Sequence, residues 1–91
     1  MADGIRLDKF LWFARIAKTR ALAQAMAETG RLRLNGRVVD RAHALVRVGD
    51  MLAFARQGAV RMLKIEALPA RRGPPAEARA LYADLGEGEA T

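Results

Sequence analysis

Arg15, Lys18 and Arg20 share six consecutive positions with Thr19, and Arg31, Arg33, Arg37 and Arg41 follow close behind. With Arg6, Lys9 and Arg47 they place ten of the sixteen Lys and Arg residues within residues 6–49. Only Asp8, Glu28 and Asp40 oppose them there, so the segment carries +7 in a chain of +6. The chemistry such residues perform is anion holding. A guanidinium forks two hydrogen bonds onto one phosphate or stacks on a base, and arginine outnumbers lysine thirteen to three here. Cations carried on separate elements can meet successive phosphates of one backbone. Thr19 stands where a helix N-terminus would turn backbone N–H groups toward a phosphate.

Other chemistries find little support. There is no cysteine, which removes disulfides, thiolate metal sites and a thiol nucleophile and fits a reducing cytoplasm. His43 is the single histidine and has no second ligand near it in sequence. No Ser/His/Asp set, phosphate-binding glycine loop, dinucleotide fingerprint or carboxylate cluster is present. The expectation is a chain with no enzymatic activity, no cofactor and no metal. A sequence pI near 11.1 calls for a polyanionic partner. A membrane surface competes with nucleic acid for that role. The charge, however, is spread over several elements rather than one amphipathic helix, and no apolar run approaches the roughly 18 residues of a membrane span. Met1-Ala2-Asp3-Gly4 opens without the features of a secretory signal. DNA is the weaker nucleic-acid choice, because Gln24 stands isolated among alanines where a recognition helix would group its base-reading side chains.

The elements that position these residues follow from periodicity. The chain is 52% hydrophobic, enough for one modest core in a single domain. Leu7, Phe10, Leu11, Ala14 and Ala17 recur at helical spacing over residues 5–17, with Trp12 and Phe13 widening the stripe. Asp8 suits the first turn, as a cap or a local partner of arginine. Thr19 predicts the N-cap of a second helix over 20–29, with Leu22, Ala25, Met26 and Ala21 as its apolar face and Gly30 as its stop. The period then changes to two. Arg31-Leu32-Arg33-Leu34, Asn35-Gly36 and Arg37-Val38-Val39 spell a hairpin through a type I′ turn, leucines inward and Arg31 and Arg33 outward. Residues 40–44 read as loop, 45–48 and 51–55 as strands, 57–58 as a turn. Residues 60–67 read as a strand in which Val60, Met62, Leu63 and Ile65 compete for the core. Residues 68–75 are broken by Pro69, Gly73, Pro74 and Pro75, and 76–85 read as a short helix with Ala78, Leu81, Tyr82 and Leu85 on one face. Residues 86–91 form an acidic tail. The fold class is α+β: two N-terminal helices packed on a small antiparallel sheet, with a short C-terminal helix.

The string Arg6-Leu7-Asp8-Lys9-Phe10-Leu11, then Lys18-Thr19-Arg20-Ala21, then residues 30–37, ending Val48-Gly49-Asp50, resembles the RNA-binding domain named after the fourth small-subunit ribosomal protein. The order and spacing match over half the chain, although no single piece is specific. Residues 12–15 and 71–78, with Leu81-Tyr82, extend the likeness to small stand-alone bacterial members: a ribosome-associated heat-shock protein and a shorter relative in ribosome quality control. The resemblance implies a domain over 5–67, a Pro/Gly-containing linker and helix over 68–85, and a flexible tail over 86–91. It implies ribosomal RNA of the large subunit as partner, in complexes carrying peptidyl-transfer RNA, and it brings transfer RNA into view. Against the heat-shock member, the expectation is a chain without its basic C-terminal extension, since residues 86–91 are acidic.

Residues and resemblance together nominate Arg6, Lys9, Arg15, Lys18, Thr19, Arg20, Arg31, Arg33, Asn35, Arg37 and Arg41 as RNA contacts. Plainer readings stand beside this one. Arg6 and Lys9 suit a solvated helix, Arg31 and Arg33 a solvated sheet face, and Asn35 the geometry of its turn. Trp12 and Phe10 fit core packing as well as base stacking. Arg71 and Arg72, in the broken segment, touch RNA or nothing. RNA is recognised largely by shape and 2′-OH groups, which suits a rigid basic patch on a monomer. A basic adaptor for an acidic protein is the rival from another class.

Overall fold

Leu7, Phe10, Leu11 and Ala14 are all buried in the computed structural model, which describes residues 4–56 and 58–88. They lie on or directly after α1 (Leu7–Phe13), which is shorter than its periodicity predicts at both ends. Ile5–Arg6 form a short strand, β1, instead of a first helical turn. At the other end the N–H of Ile16 reaches the carbonyl of Leu11 (3.0 Å) and that of Arg15 reaches Trp12 (3.1 Å). This pattern closes a helix around a left-handed residue, usually glycine. Here the residue is Arg15, at φ 59°. Ile16 and Ala17 still join the core, so the apolar period is real although the helix is not continuous.

Thr19 caps α2 (Arg20–Glu28) as predicted, its Oγ accepting the Leu22 N–H at 3.0 Å. The buried face of α2 is a different one from that read in the sequence. Ala23 and Ala27 are fully buried, Met26 is half-buried, and Leu22 and Ala25 are exposed, as is Ala21. Two alanines four apart let α2 lie close on α1, and in a helix with so many alanines composition alone does not mark that side.

The hairpin forms as predicted. β2 (Leu32–Leu34) and β3 (Arg37–Val39) join through Asn35 (φ 52°) and Gly36 (φ 85°), both positive as a type I′ turn requires. Leu32 faces Val39 on the buried side. The loop over 40–44 carries the carbonyls of Ala42 and Ala44, which accept the first N–H groups of α1 from Asp8 (3.1 Å) and Leu7 (2.7 Å). Only Leu45–Val46 of the strand expected over 45–48 is extended; as β4 it pairs with β1. β5 (Met51–Arg56) and β6 (Ala59–Ile65) complete the middle of an antiparallel sheet. Of the residues competing for the core in β6, Leu63 and Ile65 are buried while Val60 and Met62 stay half-exposed.

The C-terminal reading needs the largest correction. Helix α3 spans only Pro75–Arg79, and Tyr82–Gly88 form β7, paired along β6. The sheet order is β3-β2-β5-β6-β7. Tyr82 sits opposite Ile65 and packs against the core from a strand, and Leu85 is exposed. Local alanine content favours helix, but pairing satisfies the backbone groups of β6, and that outweighs propensity. Residues 86–88 of the expected tail belong to this strand; residues 89–91 lie outside the described residues, as does Gln57 of the expected turn. One core joins both halves: Leu7, Phe10 and Leu11 with Leu32, Val46, Leu52, Leu63 and Ile65. Each large side chain so buried contributes about 1.5–3 kcal/mol.

Candidate nucleic-acid interface

The shortened α1 leaves a tight connection, residues 14–19, and cations collect around it. Arg15, Lys18 and Arg20 are exposed. Arg15 donates from Nε to the carbonyl of Gly73 at 2.7 Å. Two further arginines arrive from distant segments. Arg56, at the end of β5, donates to the carbonyl of Ile16 at 2.6 Å; Arg72, ahead of α3, donates from Nε to the carbonyl of Trp12 at 3.1 Å. Trp12 is half-buried against the core, with the guanidinium groups of Arg20 and Arg72 5.5 and 5.4 Å from its ring centroid. Of the two roles considered for it, the indole fills that of core packing in part, and it also holds two arginines over its ring, a role the sequence did not suggest. Phe10 is fully buried and belongs to the core.

The N-terminus of α2 has no acidic residue in its first turn, so the positive end of its dipole adds to Lys18 and Arg20 beside it. Thr19 is committed through Oγ to the cap. Asn35 is likewise committed: Oδ1 accepts the Met51 N–H (2.9 Å) and Nδ2 donates to Asp50 (3.1 Å). The side chain ties the hairpin to the turn before β5, which makes its structural role plain. Arg6 is held by buried Asp8 through two hydrogen bonds of 3.0 and 2.9 Å. It is the one nominated cation with a carboxylate partner among the described residues.

The remaining nominated residues do not form one surface. Arg31 and Arg33, expected side by side, are separated. Arg31 lines an open groove with Leu22, Met26, Thr29 and Phe54, between α2 and β5. Arg33 lines a cleft on the outer sheet face with Met51, Ala53 and Met62. The physical reason is that Arg31 precedes the strand and escapes its alternation. Arg37, opposite Leu34, Arg41 in the 40–44 loop and Lys9 on α1 are exposed. Arg56 was invisible to sequence reasoning and Arg72 undecided, because nothing in their neighbourhoods says that they fold back on residues 12–16. Among the described residues no three His, Cys, Asp or Glu side chains gather as a metal site, and no helix is long and apolar enough to cross a membrane.

A capped helix, a glycine stop and an Asn-Gly hairpin follow one another along a basic surface, in the order on which the resemblance to an RNA-binding domain rests. The S4 domain family matches residues 5–52, more than half of the chain, and the chain belongs to that family. It is 43% identical over 79 residues to the heat shock protein 15 homolog of Haemophilus influenzae, covering 86% of this chain and 59% of the relative. It is 36% identical over 86 residues to heat shock protein 15 of Escherichia coli K12, covering 94% and 64%. The chain thus spans about six tenths of the length of these relatives. It is also 38% identical over 68 residues to the RQC P-site tRNA stabilizing factor of Listeria monocytogenes, covering 75% and 73%. Among solved structures it resembles heat shock protein 15 of Vibrio cholerae, described as trimeric. The TM-score there is 0.82 at 33% identity, over 90% of this chain and 82% of that one.

Proposed function

We propose that this chain is a non-enzymatic, cytoplasmic RNA-binding protein that associates with ribosomal RNA of the large subunit, in stalled or heat-stressed complexes carrying peptidyl-transfer RNA. The observation that carries the reading is the group of exposed cations at the α1–α2 connection, Arg15, Lys18 and Arg20, without carboxylate partners among the described residues. An uncompensated, rigidly held cationic patch suits the backbone of a structured RNA. Similarity to ribosome-linked relatives narrows the RNA. Arg31, Arg37, Arg41, Lys9 and Arg33 add separate contacts outside that patch, while Arg6, Thr19 and Asn35 contribute chiefly by holding geometry. We expect the binding unit to be a single copy, since one chain supplies all the cations this reading needs.

A second reading is favoured by the match across 73% of the length of the Listeria relative. On that reading the chain steadies transfer RNA in the ribosomal P site while stalled chains are tailed. Co-sedimentation with small subunits, large subunits and whole ribosomes, with and without peptidyl-transfer RNA, at two salt concentrations, tests both. Salt-sensitive preference for large subunits carrying peptidyl-transfer RNA is the expected result. Equal indifference to every particle refutes the ribosomal reading, and binding untouched by competing ribosomal RNA would instead favour an adaptor for an acidic protein.

A further inference from the structure

Four guanidinium groups converge on the α1–α2 connection from three separate stretches of chain: Arg15 and Arg20 from the connection and the start of α2, Arg56 from the end of β5, and Arg72 from the segment before α3. Three are anchored by neutral main-chain carbonyls, those of Gly73, Ile16 and Trp12, and Arg20 and Arg72 share the Trp12 ring. Among the described residues no carboxylate comes within ion-pair distance of any of them. Carbonyl anchoring fixes a guanidinium without neutralising it, and one such bond uses one of five donors. Lys18 joins Arg15 and Arg56 along an open cleft of about 530 Å³. Gathering like charges in this way opposes folding, and the fold holds them together all the same.

We propose that Arg56 and Arg72 are RNA-phosphate contacts which, with Arg15, Lys18 and Arg20, clamp a tightly turned stretch of phosphodiester backbone where neighbouring phosphates crowd. The inference rests on the RNA-binding reading and extends it into the C-terminal half, beyond the segment that the S4 family matches. A turned backbone is the fitting ligand because forks arriving from separate segments can each take a different phosphate. The carbonyl bonds pre-orient the groups and lower the entropy lost on binding.

The test compares salt dependence of binding to purified large subunits for the unaltered chain, Arg56→Gln and Arg72→Gln. Each lost phosphate contact is expected to lower the slope of log K against log salt by roughly 0.7–0.9 and to weaken binding about three- to tenfold at low salt. Arg56→Lys and Arg72→Lys should recover most of the slope. A purely structural role would lower the melting temperature and leave the slope alone. A second measurement needs no variant: phenylglyoxal modification of the unaltered protein, free and bound, read by mass spectrometry. Protection of Arg56 and Arg72 alongside Arg15 and Arg20 is expected. Unchanged slopes with Arg56 and Arg72 still reactive overturn the clamp while leaving RNA binding intact. Loss of all salt-dependent binding in the unaltered chain overturns both readings together. Displacement by polyglutamate but not by ribosomal RNA reassigns the cluster to an acidic protein.

Discussion

Two regions of the molecule, the α1–α2 connection and the surface formed by β6, β7 and α3, treat their cations in opposite ways. In the C-terminal half, Arg61 on β6 pairs with Asp84 on β7, and Arg71 pairs with Glu77 on α3. Around the α1–α2 connection, Arg15, Lys18 and Arg20 have no such partner among the described residues, and the arginines that join them are tied to carbonyls. Exposed ion pairs add little stability, so the difference is not chiefly one of folding energy. It is a difference in what charge remains for a partner. Paired charge is largely quenched, whereas charge anchored by neutral groups stays available.

Charge reversal should expose that contrast most strongly. Arg15→Glu with Arg20→Glu is expected to weaken binding to large subunits by at least about a hundredfold, equivalent to the loss of two charge-assisted contacts. The same reversal at Lys64, exposed on β6 in the C-terminal half, should change it by less than about threefold. A comparable loss from Lys64→Glu, measured by filter binding at fixed salt, would break the comparison.

Arg15 sharpens it further. As a left-handed non-glycine residue it costs about 1 kcal/mol, and its bond to Gly73 returns about as much. Arg15→Gly should therefore change unfolding free energy in urea by less than about 1 kcal/mol while binding falls about tenfold. A large loss of stability would mean that the residue serves the helix end rather than the ligand. Thr19→Ala should do the reverse, costing about 1 kcal/mol of stability through the lost cap with a smaller effect on binding.

The smallest effect belongs to the Arg61–Asp84 pair. The Gly86 N–H bond, followed by the Arg61 guanidinium, holds the Asp84 carboxyl below its ordinary range. A depressed carboxyl pKa stabilises the fold above its unfolded value, near 3.9, and that contribution fades as pH falls through the lowered folded value. Asp84→Asn should remove a shallow acid-side decline in melting temperature and leave RNA binding unchanged. Acid titration by circular dichroism would reveal it.

Much of the N-terminal half was legible because its signals are local. Thr19 caps because its oxygen lies three residues from the N–H it accepts, and Asn35-Gly36 turns because both positions tolerate positive φ. The S4 pattern is a string of such signals, so the α+β class and the basic character followed from residues alone. The face of α2 did not, since Ala21, Ala23, Ala25 and Ala27 differ only in what packs on them. The end of α1 did not either: Arg15 occupies the place where glycine would have announced the stop.

What tertiary structure alone decided lies farther apart along the chain. Residues 82–85 carry a helix-compatible sequence, and pairing with the open edge of β6 makes them part of a strand. Arg56 and Arg72 stand 40 and 60 residues from the carbonyls they bind. No periodicity or cap encodes such a bond, because it exists only when the sheet and the segment before α3 close over the helices. The sequence by itself determined that this chain would carry a folded cationic surface; the packing of its two halves determined which cations would stand together and stay unquenched.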